Sequence, residues 1–379
     1  MSRVGSRWTD EVLEKLRAEG GAIIPVSAYP RRCIPEPVMQ RILEACRHGG
    51  HAPARGLPEL RERLAAALRA ETGVSLDPQR ELFITQGAMH ALSLTFTATL
   101  RRGDEVVTFC PCYFFHGLVE LRGARMVHVP LRQEDAFAFD IDRLEAALTP
   151  RTRAILLNTP VNPTGHVAGR DHLQRLAELA RRRGLLLVCD ESYDKLVYDG
   201  RRHESILNWF EPQGGVVLVR GFTKSYALAD WRVGYVAAAA PLIDQIAKVF
   251  EWEMLFGGYL SQKVAAIVLA SGAPWLADVQ AEFARNRDIL MQAIAPLERF
   301  SAVRPQGNPF LFINISSFEV SDEAAGRRLL GYGLPNTPGS AHMAPGYLRV
   351  PFGGPEQALR QAGQALQQLY RDLENGEVQ

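Results

Sequence analysis

The 379-residue chain lacks most of the features that mark specialised classes of protein. Its formal net charge is +1, so charge gives no reason to expect a nucleic acid or an anionic membrane as partner. No apolar stretch approaches the ~18 residues needed to cross a bilayer, and the first residues lack the apolar segment of a signal peptide. The cysteines are odd in number and follow no zinc-binding spacing, so we expect no metal site: Cys33, Cys46, Cys110, Cys112 and Cys189. Reduced, buried thiols in a cytoplasmic protein are the simplest interpretation.

The length and the apolar content predict two domains of unequal size. A chain of 379 residues exceeds one typical domain, and its 47% hydrophobic content supports a large core. We expect an N-terminal arm and part of a small domain in residues 1–45, a large domain in 46–275 and a C-terminal small domain in 276–379. Apolar patterns predict helices over residues 9–19, 59–71, 87–100 and 171–183, and a last helix with a stripe of apolar residues: Leu359, Ala362, Leu366, Leu369 and Leu373.

Four continuous apolar runs predict strands of a parallel sheet that is covered on both faces by helices. The runs occupy residues 105–109, 154–157, 184–189 and 216–219, and helix-patterned segments separate them. Polar residues follow each run. Because ligands of open α/β sheets bind at the carboxyl ends of the strands, we expect one crevice to be surrounded by Tyr113, Asn162, Asp190 and Lys224.

Lys224 and Asp190 have the chemistry to hold a pyridoxal phosphate cofactor. A lysine at a strand end among small and aromatic neighbours is partly desolvated, which lowers its pKa toward that of a Schiff-base nucleophile. Arg232 follows in the same segment and has a planar set of donors that suits a phosphate. Asp190 directly follows an apolar run, where a carboxylate is costly unless it is paired. The protonated pyridine nitrogen of the cofactor would be such a partner.

Four motifs occur in an order and at spacings that resemble the class I/II aminotransferases. They are Asn158-Thr-Pro-Val-Asn-Pro-Thr-Gly165, Asp190-Glu-Ser-Tyr193, the lysine segment from Lys224 to Tyr235, and Tyr347-Leu-Arg-Val350. The chain therefore resembles an aspartate aminotransferase-like enzyme of PLP fold type I. The resemblance implies a large domain with a mostly parallel mixed sheet covered by helices, and a smaller α+β domain formed by both chain ends.

The resemblance also implies roles for individual residues. Lys224 would form the internal aldimine and later carry the proton of the substrate Cα, with Asp190 and Tyr193 as further catalytic residues. The cofactor would be held by Gly87, Ala88, Met89, Tyr113, Asn162, Asp190, Tyr193, Thr223, Lys224 and Arg232. The substrate would be held by Arg349, which binds its carboxylate, and by Asn162, His51 and His342. The expected substrates are an amino acid and a keto acid, and the expected assembly is a homodimer with composite active sites.

The chain departs from the family pattern at several positions. Gly221 stands where a serine usually helps to hold the phosphate, and His51 replaces a tyrosine that reaches into the partner's site. His342 stands where many relatives have phenylalanine, and residues 26–30 have no clean counterpart of the family's glycine-proline element. The two histidines reflect drift within a large family, contact an unusual substrate side chain, or supply an extra acid/base.

Three interpretations of the function remain open at this stage. The first is an aminotransferase, and the second is a lyase, cyclase or oxidase that uses His51 or His342 on the same scaffold. The third is a PLP-sensing regulator, although no basic helix-turn-helix pattern supports it. Ordinary structural roles also compete, such as a core aromatic for Tyr113. The side chain of the substrate is undetermined, because no second arginine can be assigned to a dicarboxylate, and Trp252 and Phe256 suit a pocket or a dimer interface equally.

Overall fold

The computed structural model describes residues 14, 18, 22–30 and 34–378. The predicted helix over 9–19 lies outside the described residues apart from Glu14 and Ala18, which are both helical. Residues 22–30 run in an extended path without a regular element, as expected for an arm.

A seven-stranded sheet forms the centre of the larger part of the molecule. Its spatial order is β1-β7-β6-β5-β4-β2-β3, and β7 runs antiparallel to both of its neighbours while the other pairs are parallel. The strands are β1 (Leu82–Thr85), β2 (Glu105–Cys110), β3 (Arg125–Pro130), β4 (Thr152–Asn158), β5 (Leu186–Asp190), β6 (Val216–Gly221) and β7 (Gly234–Ala238). Most of their Val, Leu and Ile side chains are buried, because both faces of the sheet are covered. The expectation of a mostly parallel mixed sheet is confirmed.

Helices cover both faces of this sheet. The helices of this part are α1 (Glu36–Cys46), α2 (Pro58–Thr72), α3 (Ala88–Thr99), α4 (His116–Glu120), α5 (Ile141–Ala146), α6 (Arg170–Arg183), α7 (Phe222–Ser225), α8 (Ala240–Glu253) and α9 (Tyr259–Ala270). Helices α3 and α8 bury residues such as Phe96 and Phe250 against one face. Helices α2, α6 and α9 contribute Leu64, Leu176 and Val264 to the core on the other face. The helices expected over residues 59–71, 87–100 and 171–183 are thereby confirmed.

A second, three-stranded antiparallel sheet forms the core of the smaller part. Its order is β8-β10-β9. Its elements are β8 (Phe310–Asn314), β9 (Thr337–Pro338), β10 (Tyr347–Pro351), α10 (Leu276–Ile294), α11 (Asp322–Gly331) and α12 (Glu356–Glu374). Helix α12 buries the predicted apolar stripe from Leu359 to Leu373, which confirms that helix.

The described arm joins this smaller part through backbone hydrogen bonds. The Ser27 and Gly353 backbones bond to each other in both directions (2.7 and 2.9 Å), and the Ile24 N–H donates to the Gly333 carbonyl at 2.9 Å. Residues from both chain ends therefore contribute to the smaller part, while the domain boundaries stay predictions.

Within the described residues, no helix has the length and apolarity required to traverse a bilayer.

Candidate active site

A cavity of about 410 Å³ lies between the two sheets, at the carboxyl ends of β4, β5 and β6. Its walls include ten of the predicted site residues: Ala88, Met89, Tyr113, Asn162, Asp190, Tyr193, Thr223, Lys224, Arg232 and Arg349. The convergence follows from topology, because most of these residues follow parallel strands whose carboxyl ends meet at one edge.

Lys224 projects into this cavity from the short helix α7, directly after β6. Burial, together with the positive charges of Arg349 and Arg232, lowers its pKa to about 7. The Lys224 Nζ donates a hydrogen bond to the Ala28 carbonyl at 3.3 Å, and it lies 3.4 Å from the centre of the Tyr29 ring. A substantial fraction of this amine is neutral near pH 7, as a nucleophile toward a carbonyl requires.

Asp190 ends strand β5 and is buried at the floor of the cavity. Burial raises its pKa to about 6, although the backbone N–H and the hydroxyl of Ser192 both donate to its Oδ1 and oppose that rise. A buried carboxylate with this environment is stabilised by a cationic partner. The protonated ring nitrogen of pyridoxal phosphate fits that requirement.

A group of donors at the start of α3 suits the cofactor's phosphate. Gly87 has a φ of +84°, and a Cβ there would lie 2.6 Å from the Arg232 guanidinium, so only glycine allows this close approach. The Arg232 Nη1 donates to the Thr223 hydroxyl at 3.0 Å. Ala88 and Met89 begin the helix, where backbone N–H groups and the helix dipole favour an anion. Gly221 also lines the cavity, so the hydroxyl that a serine would supply there is absent.

The Asn162 side chain connects Tyr193, from the large sheet, to Arg349, from the smaller one. Its Nδ2 donates to the Tyr193 hydroxyl at 3.3 Å, and its Oδ1 accepts from the Arg349 Nη1 at 3.0 Å. Its own backbone N–H donates to the Asn158 Oδ1 at 2.8 Å, and the Asn158 Nδ2 donates to the Asp190 carbonyl at 3.0 Å. The ends of β4 and β5 are thus tied together, which fixes the amide and the phenol on the same side of the cavity.

Arg349 is a half-buried cation on strand β10, in the smaller sheet. Its Nη2 donates to the Thr337 hydroxyl at 2.9 Å, and its guanidinium lies 4.2 Å from the centre of the Phe310 ring. Burial lowers its pKa, and its Nε has no hydrogen-bond partner. A carboxylate entering the cavity would compensate for this charge, as the sequence predicts for the substrate α-carboxylate.

Neither of the two histidines lines the cavity of its own chain. His342 does not line the cavity: it is fully buried behind Phe114, whose ring stacks on it at 4.8 Å. Its Nδ1 lies 2.9 Å from the Cys112 carbonyl oxygen, and burial, with the charge of Arg349, lowers its pKa well below the usual value. His51 is exposed outside the cavity of its own chain, with its ring edge against Phe256 at 4.1 Å.

Sequence reasoning missed several residues that the structure places in the cavity wall. They are chiefly Tyr29, Phe114, Phe310 and Thr337. Phe114 directly follows the predicted Tyr113, so the aromatic run Tyr113-Phe-Phe115 was an available signal. Tyr29 had none, because its contact with Lys224 depends on the path of the arm across the cavity.

The comparisons with known proteins agree with this geometry. The family described as Aminotransferase class I and II matches residues 35–366. The aspartate/prephenate aminotransferase of Thermus thermophilus is 32% identical, over 92% of this chain and 91% of that protein. The aromatic-amino-acid aminotransferase 2 of Thermococcus litoralis is 27% identical, over 89% of each chain.

Solved structures show the same fold. The aspartate aminotransferase of Thermus thermophilus with maleate superposes with a TM-score of 0.91, at 30% identity and 97% coverage of both chains. The aromatic aminotransferase of Pyrococcus horikoshii gives a TM-score of 0.87 at 28% identity, covering 96% of this chain and 99% of that one. From the motifs, the cavity and these likenesses together it follows that the chain belongs to the class I and II aminotransferases and is a PLP-dependent enzyme.

Proposed function

We propose that the enzyme moves the amino group of an α-amino acid to a keto acid, with Lys224 holding the cofactor and Arg349 binding the substrate carboxylate. The observation that carries the proposal is one cavity that brings together a lysine with a pKa of about 7, a buried carboxylate and a half-buried arginine. Each of the three groups has an unmet electrostatic requirement, and cofactor and substrate together would meet all of them.

The protein residues divide the work of the reaction. When bound, pyridoxal phosphate supplies an electron sink that stabilises negative charge at the substrate Cα. Asp190 keeps the proton on the ring nitrogen, while Asn162 and Tyr193 orient donors toward the phenolic oxygen. Arg349 fixes the substrate carboxylate. The Lys224 Nζ takes the proton from the substrate Cα and later gives it up again, since a pKa near 7 suits both steps at neutral pH.

The proposed assembly is a homodimer whose contact surface lies beside the cavity. Between α8 and α9 the chain exposes an apolar group made of Trp252, Met254, Leu255, Phe256 and Leu260, with Trp252 92% exposed. Phe256 contacts His51, and a Cβ on Gly257 would lie 3.4 Å from the Gln86 side chain, next to the phosphate donors. Such a contiguous exposed patch is typical of an interface, and a second copy of the chain is the occupant we propose.

The dimer proposal can be tested by sedimentation. Trp252→Asp places a charge in the patch and should shift the protein to the monomer and lower its activity. Leu121→Asp, at another apolar side chain that is 66% exposed, is the matched control. A monomer that keeps full activity at nanomolar concentration would refute composite sites.

The same scaffold could host a lyase, cyclase or oxidase, but no observation favours one. His342 is buried and its lowered pKa keeps it neutral, so it offers no acid at neutral pH. His51 lies outside the cavity of its own chain.

We also propose a cytoplasmic location, which is supported by the free thiols of the described cysteines, three of them buried.

The test of the reaction is a half-reaction with an amino donor alone. The cofactor should be converted to its amine form once per site, and a keto acid should reverse the change. Borohydride treatment should attach the cofactor to the peptide that contains Lys224, with Lys195, Lys248 and Lys263 as internal controls. Many turnovers of the donor without a keto acid, or attachment to another lysine, would overturn the proposal.

A further inference from the structure

Resting on the proposed function, we infer that Ser192 is a positioning residue whose hydroxyl keeps the Asp190 carboxylate ionised for the ring nitrogen of the cofactor. The sequence assigns no role to Ser192, although it lies within the motif from Asp190 to Tyr193. In the structure Ser192 lines the cavity together with Asp190. Its hydroxyl acts on the cofactor only through that carboxylate.

Both hydrogen bonds that the Asp190 carboxylate accepts from the described residues come from Ser192. The Ser192 backbone N–H donates to the Asp190 Oδ1 at 3.0 Å, and the Ser192 hydroxyl donates to the same oxygen. Every residue except proline can supply the backbone donor, because it belongs to the main chain. The second donor is therefore the one that depends on a hydroxyl side chain at this position.

The other surroundings of Asp190 favour its neutral form. Burial and the negative charge of Glu191 raise the pKa of Asp190, the two Ser192 donors lower it, and the result is a pKa of about 6. Glu191 is charged, because Arg220 and His203 lower its pKa more than burial raises it. The remaining titratable neighbours are neutral at pH 7, because burial raises the pKa of each: Cys189, Tyr113 and Tyr193. Of the described groups that act on the Asp190 carboxyl, only Ser192 favours the ionised form.

Ser192 is held in place from the side of the lysine segment. The hydroxyl of Ser225, the residue after Lys224, is shared between the Ser192 carbonyl oxygen, at 3.2 Å, and the Asp194 carboxylate. Asp194 is buried and lies 3.0 Å from the Arg220 Nη1. All of these contacts are made within one chain, so the serine is held beside Asp190 without a contribution from a partner.

Loss of the hydroxyl should change the charge of Asp190 over a limited range of pH. Because one hydrogen bond to the charged form is lost, we expect Ser192→Ala to raise the pKa of Asp190 by about 1, a tenfold change in its ionisation. At about pH 6, roughly half of the wild-type carboxyls and roughly a tenth of those in the variant would be ionised. A carboxyl is ionised above its pKa, so the difference between the two proteins must fade as the pH rises.

Equilibrium binding of pyridoxine 5′-phosphate to the full-length apoenzyme measures this change. The ligand has the ring nitrogen and the phosphate but no aldehyde, so it does not react with Lys224. Its own ionisations cancel in the ratio of variant to wild type. Ser192→Ala should bind this ligand about fivefold more weakly at about pH 6 and equally well at about pH 8.5. Ser192→Thr, which keeps a hydroxyl, should bind it as the wild type does at both pH values.

Ser205→Ala is the matched control. The Ser205 hydroxyl also donates to a buried carboxylate, that of Glu191 at 3.3 Å, but not to Asp190. This variant should show the same ratio of affinities at the two pH values as the wild type. Equal weakening by Ser192→Ala at both pH values, or no weakening at the lower one, would overturn the inference. The same pH-dependent weakening in Ser205→Ala would also overturn it.

The holoenzyme separates this inference from the proposed function. With an isotope-labelled ring nitrogen, the wild-type holoenzyme should give the nitrogen resonance of a protonated pyridine at neutral pH. The resonance of a neutral pyridine would overturn both the role of Asp190 and the inference. A protonated nitrogen and a complete half-reaction, without pH-dependent weakening in Ser192→Ala, would overturn the inference alone. Failure of the half-reaction while that weakening persists would instead count against the proposed function.

Discussion

Arg220 should contribute more to the stability of this enzyme than any exposed arginine, because it neutralises buried carboxylates beneath the lysine segment. It lies on β6 and is only 4% exposed. Its Nη2 donates to Glu191 at 2.7 Å and to Glu71 at 2.6 Å, and its Nη1 lies 3.0 Å from Asp194. Asp194 in turn accepts a hydrogen bond from Ser225, the residue after Lys224.

The substitution Arg220→Ala would leave Glu191 and Asp194 buried with weaker partners. Removing one member of a buried ion pair typically costs about 3–5 kcal/mol. Lys195 lies 3.1 Å from Asp194 and the His203 ring lies 2.9 Å from Glu191, so Asp194 keeps a cationic neighbour and Glu191 keeps a polar one. We therefore expect a loss of about 3 kcal/mol in the free energy of unfolding, at the lower end of that range.

Denaturant titration of the holoenzyme at pH 7 measures this loss. Arg360→Ala is the matched control, because Arg360 also contacts a glutamate, Glu356, at 2.6 Å, but on the exposed face of α12. An exposed pair of this spacing is worth about 0.3–0.5 kcal/mol. Similar losses in the two variants would refute the reasoning that burial makes Arg220 important.

The same network predicts a pH dependence. Burial raises the pKa of Glu71, but Arg220 and Lys195 outweigh it and lower the pKa from 4.5 to about 2. A carboxylate with a lowered folded-state pKa contributes stability that is present above its unfolded value and lost as the pH falls through the folded one. Wild-type enzyme should lose this contribution between about pH 4.5 and 2, and Arg220→Ala should show a smaller loss over that window. An unchanged acid profile in the variant would contradict the assignment.

Three further outcomes follow from the site. Because the pKa of Lys224 is lowered to about 7, the neutral fraction of its amine grows as the pH rises through that value. Capture of pyridoxal phosphate by the apoenzyme should therefore accelerate toward a plateau above pH 7. A capture rate that is flat from about pH 6 to 8 would contradict this expectation. Arg349→Ala should weaken a carboxylate analogue by about 10- to 150-fold, from roughly 1.5–3 kcal/mol per charge-assisted contact, with cofactor absorbance retained; loss of the cofactor instead would show a structural role. Gly221→Ser should slow cofactor dissociation about fivefold, since one added hydrogen bond is worth about 1 kcal/mol and a Cβ there meets only ordinary contacts at 3.5 Å. Gly87→Ala should instead speed cofactor dissociation, because its Cβ would lie 2.6 Å from the Arg232 guanidinium. Equal effects of the two substitutions would refute these assignments to the phosphate site.

The sequence was sufficient to predict the large sheet and the convergence of the motif residues. Continuous apolar runs can only be buried on both faces, and residues at the ends of parallel strands must meet at one edge. The direction of β7 could not be read in this way, because Gly234–Ala238 is as apolar as its parallel neighbours. Direction depends on the connection between strands and not on composition.

Contacts between distant segments were also beyond the sequence. Arg220 pairs with Glu71 across 149 positions, and nothing in either local pattern identifies the other. His342 was expected to contact the substrate, yet Phe114 stands between it and the cavity. A single replaced residue gives its chemical type but not the packing of its neighbours.

The two-sided bonding of Asn162 has a thermodynamic consequence. One amide group bonds both to Tyr193 and to Arg349, which the proposed function assigns to the cofactor and to the substrate, so it cannot rotate without disturbing both. An anion that orders Arg349 therefore also orders the phenol, and linkage requires the effect to be reciprocal. Whatever factor a bound carboxylate adds to the retention of the cofactor, the cofactor adds to the affinity for that carboxylate. Under the proposed function, the enzyme should therefore be most exposed to cofactor loss in the interval after one keto acid has left and before the next has arrived.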